Sequence, residues 1–569
     1  MAPVRLWRRV SILLVPELTV GRGSGHLRRC IRLLRSLPDA RLFIGEYPKE
    51  FAPLISGVPG DRIVDTLSDA DMIVCDRFSL SATECARFRR HAPVIGLDVG
   101  GSGRDACDFL VDTLPRLDGA SANVVALGAD AEPIVEKLHP GSDRRLLVTF
   151  GGEDRAGLTE RVVDELTRHP GRSYKITVVR PAMREISVPD TVTVLEPQDG
   201  LLPVLAEHGK VITSFGLTAY EARSVGCDVL LVHPSQYHAD LAREGGFRSA
   251  GVGRPKQMAL RRFLARKAYP VPGNRGVSTP PTLTSILTNV SSPALRSCPV
   301  DADAGRVVFR NDEKTYRKCE RCGLVFLQRF RGDEERYGAE YFMEEYAAQY
   351  GRSYLEDFSH IKSMGARRLA VIDSLTVPGR DLLDIGCAYG PFLAAAADHG
   401  FRACGVDVAE APVEYVRRTL GMPAIAGDIR EKSVQEQLSS SGFDVVTLWY
   451  VIEHFPDLAS IFEALSNLVR VGGVLALSTP YGRGVSARRS PESFFRESPR
   501  DHFTIWDRES AKGVLARYGF SVERLVSTGH HPERYPLVKK RLVPKGFAAA
   551  HSRLAGWGDT FEIYARKTH

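Results

Sequence analysis

Three aspartates in the C-terminal half each close a short apolar run, and glycines follow the first of them. The run Asp381-Leu-Leu-Asp-Ile-Gly-Cys-Ala-Tyr-Gly-Pro-Phe-Leu reads as a strand, a tight turn and a helix. A turn against which a ligand lies close to the backbone needs small residues, and Gly386 and Gly390 supply them. Asp384 can place its carboxylate near a ligand's ammonium group. Asp407 ends the next run, ACGVDV. An acid about 20 positions beyond a glycine turn is placed to accept hydrogen bonds from two ribose hydroxyls. Asp428, followed by Ile429, ends a third run and can meet an exocyclic amine. FDVVTLWYVIEHF then carries a buried strand into a polar turn holding Glu453 and His454. Imidazole titrates near neutral pH, which makes His454 the best-placed base for a bound nucleophile. Its alternative role, with Glu453, is to hold the loop by hydrogen bonds. Tyr450, Tyr481 and His502 are weaker pocket candidates.

Two other constellations carry chemistry. Cys319-Glu-Arg-Cys322-Gly is a knuckle that presents two thiolates to one metal. Cys298-Pro-Val-Asp301 has the same spacing with a carboxylate in the last place. Carboxylates bind zinc, so a site of three cysteines and one aspartate is one reading, and a metal-free knuckle is the other. Near the start, Gly21-Arg-Gly-Ser-Gly-His26 follows the first strand and opens a helix. Backbone N–H groups there suit an anionic or polar ligand, and His26 faces the same crevice. His26 can equally cap or pack that helix. In Ser214-Phe-Gly216-Leu217-Thr218-Ala-Tyr-Glu221, a strand joins a helix whose N-terminus suits a diphosphate, with Glu221 for a ribose. Gln236, after Ser235, completes this set.

The elements that position these residues follow from the alternation of β-rich runs and helical stretches, an α/β pattern with parallel sheets. VSILLVP, ARLFIG, DMIVCD, PVIGLDV, RLLVTF, YKITVV, KVITS and DVLLVH read as strands of two Rossmann-like domains, 1–140 and 141–253, divided near residues 139–144. Residues 254–297 turn basic and then rich in Ser, Thr and Pro, as a linker does. Residues 298–345 hold the knuckle, and 346–569 return to α/β alternation, with GFSVERLVS and TFEIYARKT pairing as the last two strands. At 569 residues with 43% hydrophobic content, several sizeable cores are expected. A net charge of +7 permits anionic ligands without demanding nucleic acid. No apolar run reaches a membrane span, and the start lacks a signal peptide's long apolar core and cleavage site. Ten scattered cysteines, several inside apolar runs, fit reduced thiols and the cytoplasm.

The order of glycine turn, acidic strand end, Gly427-Asp428, WYVIEHF and VGG resembles the class I S-adenosylmethionine methyltransferase family over about 200 residues. A dehydrogenase shares the turn and the acid but not this order. The resemblance implies a seven-stranded sheet with the cofactor at the strands' carboxyl ends. Asp384, Gly386 and Gly390 would lie by the methionine part, Asp407 by the ribose, and Asp428 with Ile429 by the adenine. Ala388 stands where the family's middle glycine is usual. The cysteine segment resembles the zinc-binding segment that precedes some sugar methyltransferase domains.

In the N-terminal half, GxGHxxR, the FGG at 150–152, the SFGLTAYEA run and the downstream Gln resemble GT-B-type nucleotide-sugar hydrolases and glycosyltransferases. The UDP-sugar hydrolase of pseudaminic acid synthesis is the nearest likeness. It implies UDP at Ser214, Gly216, Leu217, Thr218 and Glu221, and His26 as the base. Gln236 would meet the sugar, although the family's Asn-Gln reads Ser235-Gln236 here. The expected protein therefore joins a methyltransferase for a sugar-derived or other small acceptor to a half that cleaves or transfers a UDP-linked sugar. The alternatives are a non-catalytic N-terminal binding module, or a quinone or RNA acceptor.

Overall fold

The computed structural model describes residues 11–19, 25–67, 70–118, 121–128, 144–152, 154–168, 174–182, 184–198, 200–266, 282–330, 351–375, 377–438, 441–531, 534, 538 and 543–569. Residues 21–24 of the expected loop, 139–143 of the expected division, 267–281 of the expected linker, and 331–350 around the expected boundary at 345 lie outside the described residues. The chain divides into two units, Met1–Ser292 and Pro293–His569.

The first unit holds two parallel sheets. The first runs in the order β3-β2-β1-β4-β5-β6-β7. Its strands are β1 (Ile12–Pro16), β2 (Ala40–Phe43), β3 (Ile63–Val64), β4 (Met72–Asp76), β5 (Val94–Leu97), β6 (Phe109–Asp112) and β7 (Val124–Val125). The second runs β10-β9-β8-β11-β12-β13. Its strands are β8 (Arg145–Val148), β9 (Lys175–Val179), β10 (Thr193–Leu195), β11 (Lys210–Thr213), β12 (Asp228–His233) and β13 (Ser249–Val252). Each expected strand of this half is present. β3, β6, β7, β10 and β13 go beyond that reading, all but β6 being short and partly exposed. In each sheet the crossover direction reverses once, between β1 and β4 and between β8 and β11, and ligand crevices of such sheets open at the carboxyl ends there.

The linker reading needs correction at both ends. Gln257–Ala265 is a helix whose Leu260 and Phe263 join the core of the second sheet, while Arg261 and Arg262 face solvent. The basic residues that suggest a solvated linker are the outer face of an amphipathic helix. Leu283–Thr288 is also helical, capped by the Thr282 hydroxyl, with Leu283, Ile286 and Leu287 buried.

The second unit opens with a small antiparallel sheet of β14 (Arg306–Arg310), β15 (Lys314–Lys318) and β16 (Val325–Arg329), which bears the cysteine knuckle. Its fourth strand comes from far along the chain, β22 (Thr504–Ile505). The main sheet runs β19-β18-β17-β20-β21-β24-β23. Its strands are β17 (Asp381–Ile385), β18 (Arg402–Asp407), β19 (Ala424–Ala426), β20 (Phe443–Trp449), β21 (Val469–Pro480), β23 (Phe520–Thr528) and β24 (Thr560–Lys567). β17, β18, β19, β20 and β21 pair in parallel, and β24 is antiparallel to both β21 and the edge strand β23. The expected pairing of the last two strands is therefore present.

Alternate residues of the central strands feed two cores. Leu382 and Val445 pack on one face, and Leu383 and Val446 on the other. Among the described residues, no helix is long and apolar enough to cross a membrane.

Candidate functional site

The reversal point of the main sheet lies between β17 and β20, and the glycine turn stands there. Gly386 has φ +75°, and its N–H donates to the Val406 carbonyl at 2.7 Å. A Cβ at Gly386 would lie 2.4 Å from Val451 Cγ2, so the turn after β17 is pressed against the turn after β20. Ala388 takes the left-handed conformation with φ +46°, a cost that the usual glycine would avoid. Its N–H donates to Asp407 Oδ2 at 2.9 Å, and Ala409 N–H donates to Asp407 Oδ1 at 2.9 Å. The two expected cofactor contacts, turn and acid, are thereby fixed to each other. Gly386→Ala is expected to lower the midpoint of thermal unfolding, at a cost of about 1–3 kcal/mol. It should also weaken S-adenosylhomocysteine binding; differential scanning fluorimetry with and without the ligand checks both effects.

Asp384 is fully buried and accepts from the Thr447 hydroxyl at 2.6 Å. Burial pushes its carboxyl up to about 7, with Thr447 and the Arg368 charge opposing. Arg368 is itself held by Glu562 at 2.8 Å and lies 4.1 Å over the Trp449 ring. Burial also raises the Asp407 carboxyl, against the backbone N–H groups that it accepts from. Asp428 departs from the expectation of a free acceptor. Arg430 clasps its carboxylate, Nη2 to Oδ2 at 2.6 Å, and this outweighs burial to keep Asp428 below the usual carboxylate range. The Ile429 side chain belongs to the core, so only its backbone is available to an adenine ring.

β20 ends in a short turn, Ile452–His454, that carries two of the sheet's ionisable groups. His454 Nδ1 lies 2.9 Å from Asp501 Oδ2. Burial pulls the imidazole down, but the bond to Asp501 and the Glu453 charge prevail and hold it above its usual value. The His502 ring meets His454 edge-on at 4.8 Å, and burial together with His454 pushes it down to about 3. Glu453 is fully buried, and burial raises it to about 7. Neither of its oxygens has a well-aligned hydrogen bond among the described residues; nor do the buried hydroxyls of Ser478 and Thr479 at the end of β21. Tyr450, with φ +61°, is exposed, whereas Tyr481 is packed on Phe561. Sequence reasoning found His454 and His502 but missed Asp501, Thr447 and Arg368, which follow no motif spacing.

These features fit a sulfonium-bearing nucleoside. A tight turn that a Cβ would fill lies beside two acids at strand ends, and buried oxygens of Glu453, Ser478 and Thr479 without a well-aligned partner lie just after β20 and at the end of β21.

The cysteine cluster also assembles. One donor atom each from Cys298, Asp301, Cys319 and Cys322 lies within 4.8 Å of the others. Gly323 and Ala302, each following a knuckle, take left-handed φ of +77° and +53°. Asp301 also pairs with Arg517. Three thiols and a carboxylate in this arrangement suit zinc.

In the first unit, His26 starts the helix after β1, and its Nδ1 lies 2.6 Å from Asp76 Oδ1 at the end of β4. Arg29 Nε donates to Asp76 Oδ2 at 2.7 Å, and Arg29 Nη1 reaches Asp98, which has φ +51°. Despite burial, the Arg29 and His26 charges hold Asp76 down at about 2. Ser214 and Gly216 join β11 to the helix Leu217–Val225, which Leu217 and Thr218 open. Glu221 is engaged by Arg32 at 2.8 Å, and the exposed Gln236 donates to Asp240. Neither side chain waits free for the ribose or sugar.

Residues 353–525 match the family model described as a methyltransferase domain. The ubiquinone biosynthesis O-methyltransferase of Hahella chejuensis is 30% identical over 141 residues, covering 24% of this chain and 56% of that protein. The protein of the same description from Pseudomonas aeruginosa is 33% identical over 126 residues, covering 22% and 54%. The chain thus spans about half the length of the curated relatives that it matches. A solved S-adenosylmethionine-dependent methyltransferase from Archaeoglobus fulgidus is 18% identical, with 39% of this chain and 99% of that one covered and a TM-score of 0.29. The C-terminal part of the chain thus carries a stretch that matches a methyltransferase domain, on the sheet whose reversal point holds the glycine turn.

Proposed function

We propose that the C-terminal domain methylates a hydroxyl of a small acceptor, with His454 as the base. The observation that carries this reading is the His454–Asp501 pair, 2.9 Å apart at the end of β20, on the same sheet edge as the glycine turn. S-adenosylmethionine supplies an electrophilic methyl on a cationic sulfur. Asp384 would face its ammonium group, Asp407 its ribose and the Ile429 backbone its adenine. Asp501 accepts the Nδ1–H of His454, which leaves the Nε2 lone pair to take the acceptor's proton as the oxygen attacks. The relatives' description as O-methyltransferases supports an oxygen acceptor. Incubation with methyl-labelled cofactor and either nucleotide sugars or dihydroxybenzenes, followed by mass spectrometry, tests the reading. Label on neither class, or on carbon or nitrogen alone, overturns it.

Two further roles belong to the same proposal. Cys298, Asp301, Cys319 and Cys322 hold one zinc ion, on the strength of four converging donors. The first unit takes a UDP-linked sugar, with Ser214, Gly216, Leu217 and Thr218 around the diphosphate and His26 as its base. The His26–Asp76 pair at the reversal point of its sheet supports this. Joined on one chain, the two activities would pass on a shared intermediate at high effective concentration. His26→Ala is expected to retain UDP binding by calorimetry while losing UDP release from UDP-sugars. If the unaltered chain binds UDP and releases none, the first unit is a binding module.

A further inference from the structure

The segment 496–505 alternates between two partners within the second unit. On one side it is clamped by the small cysteine-bearing sheet. Lys314 Nζ donates to the Ser498 carbonyl, and Arg500 Nη2 reaches Glu313 at 2.6 Å. Leu327 N–H donates to the Phe503 carbonyl at 2.9 Å, and β22 then pairs with β16, Ile505 opposite Val325. On the other side, Phe503 N–H donates to the Glu453 carbonyl at 2.8 Å, and Asp501 holds His454.

Phe503 links the two. Its ring packs against a cluster built from Leu295, Cys298, Cys319 and Phe326, so the ligand cysteines form the floor beneath it. Phe503, which packs on this cluster, is two residues along the chain from Asp501. A metal there draws four donors from two separate knuckles to one centre and fixes the floor. Without it, the donor atoms meet through sulfur contacts such as Cys298 Sγ to Cys322 Sγ at 3.6 Å and Cys319 Sγ to Asp301 Oδ2 at 3.3 Å, with the Glu320 N–H bond to Asp303 beside them. Phe503 then loses its rigid seat, and the strap is freer to move.

We propose that the cysteine cluster, when closed by zinc, is a positioning device for the acceptor side of the methyltransferase site: it fixes the strap 498–505 and, through Asp501, the orientation of His454. This rests on the zinc reading given above. The cofactor side is spared, because Asp384, Asp407 and the glycine turn are held by β17, β18 and β20.

The full-length chain tests this. Metal analysis first asks whether zinc is bound or taken up. Hydrogen exchange then compares the zinc-loaded and chelated protein. Removal of zinc is expected to speed exchange in 496–505 at least tenfold, with 381–390 and S-adenosylhomocysteine affinity unchanged, and added zinc should restore protection. Phe503→Ala, tested with zinc in place, guards against loss of folding. It should keep its zinc and its KM for S-adenosylmethionine while kcat falls at least tenfold. Absence of zinc uptake overturns both this proposal and the zinc reading. Zinc uptake with unchanged exchange in 496–505, or an unaffected kcat in Phe503→Ala, overturns the positioning role alone and leaves the zinc reading standing.

Discussion

Asp384→Asn is expected to weaken S-adenosylhomocysteine binding by about 10- to 100-fold at pH 8, the loss of a charge-assisted pair, while making the free protein more stable. The two effects have opposite signs for one reason. Asp384 is fully buried at the end of β17, and its carboxyl is pushed up to about 7. The folded state therefore binds the proton more tightly than the unfolded state does. Its stability is full below the unfolded value near 4 and declines as pH rises toward 7. The ionised form at pH 8 costs up to about 4 kcal/mol, which Asn does not incur. A ligand ammonium group reverses the preference, because it favours the carboxylate. For the unaltered protein, affinity should therefore be about tenfold weaker at pH 6 than at pH 8, with proton uptake or release visible when calorimetry is repeated in buffers of different ionisation enthalpy. In Asp384→Asn that pH dependence should vanish. A variant that binds normally, or an affinity flat between pH 6 and 8 in the unaltered protein, removes Asp384 from the cofactor site.

Asp384 was legible in the sequence because local order encodes it. A strand, a glycine turn and an acid about 20 positions on are all fixed by short-range backbone geometry. The same holds for His26, placed by the start of the helix that follows β1. What could not be read is what each side chain meets. Glu221 and Asp428 have the right position, but Arg32 and Arg430 already occupy their carboxylates. Those arginines are 189 and 2 residues away, and neither spacing signals a pair. The linker reading failed on composition. Leu260 and Phe263, three apart between basic residues, are the periodic signal that charge obscured. The strap 498–505 was invisible for a different reason. β22 has two residues, too few for an alternation to register, and it pairs with a strand about 180 positions earlier. Asp501 inherits that invisibility, which is why His454 was found without its partner.

The partner decides between the two readings of His454. If His454 takes the acceptor's proton, His454→Ala should lower kcat by 10²- to 10⁴-fold, the usual range for a positioned base, with S-adenosylhomocysteine affinity kept. Asp501→Asn is the sharper test. Asp501 and Glu453 together outweigh burial and hold the imidazole above its usual value, while His502 faces it as a neutral ring. A base works in its unprotonated form, so kcat should rise with pH through the His454 titration. Removing the Asp501 charge lowers that titration, so the acid limb should move to lower pH. The plateau should fall about 10- to 100-fold, because the imidazolium formed in the reaction loses a charge-assisted hydrogen bond. A group that only holds the loop predicts neither change. Its loss would loosen the turn Ile452–His454 and with it Val451, which presses on Gly386, so the cofactor affinity would suffer instead. A fall in kcat with a displaced acid limb and intact cofactor binding is the pattern that only proton transfer at His454 produces.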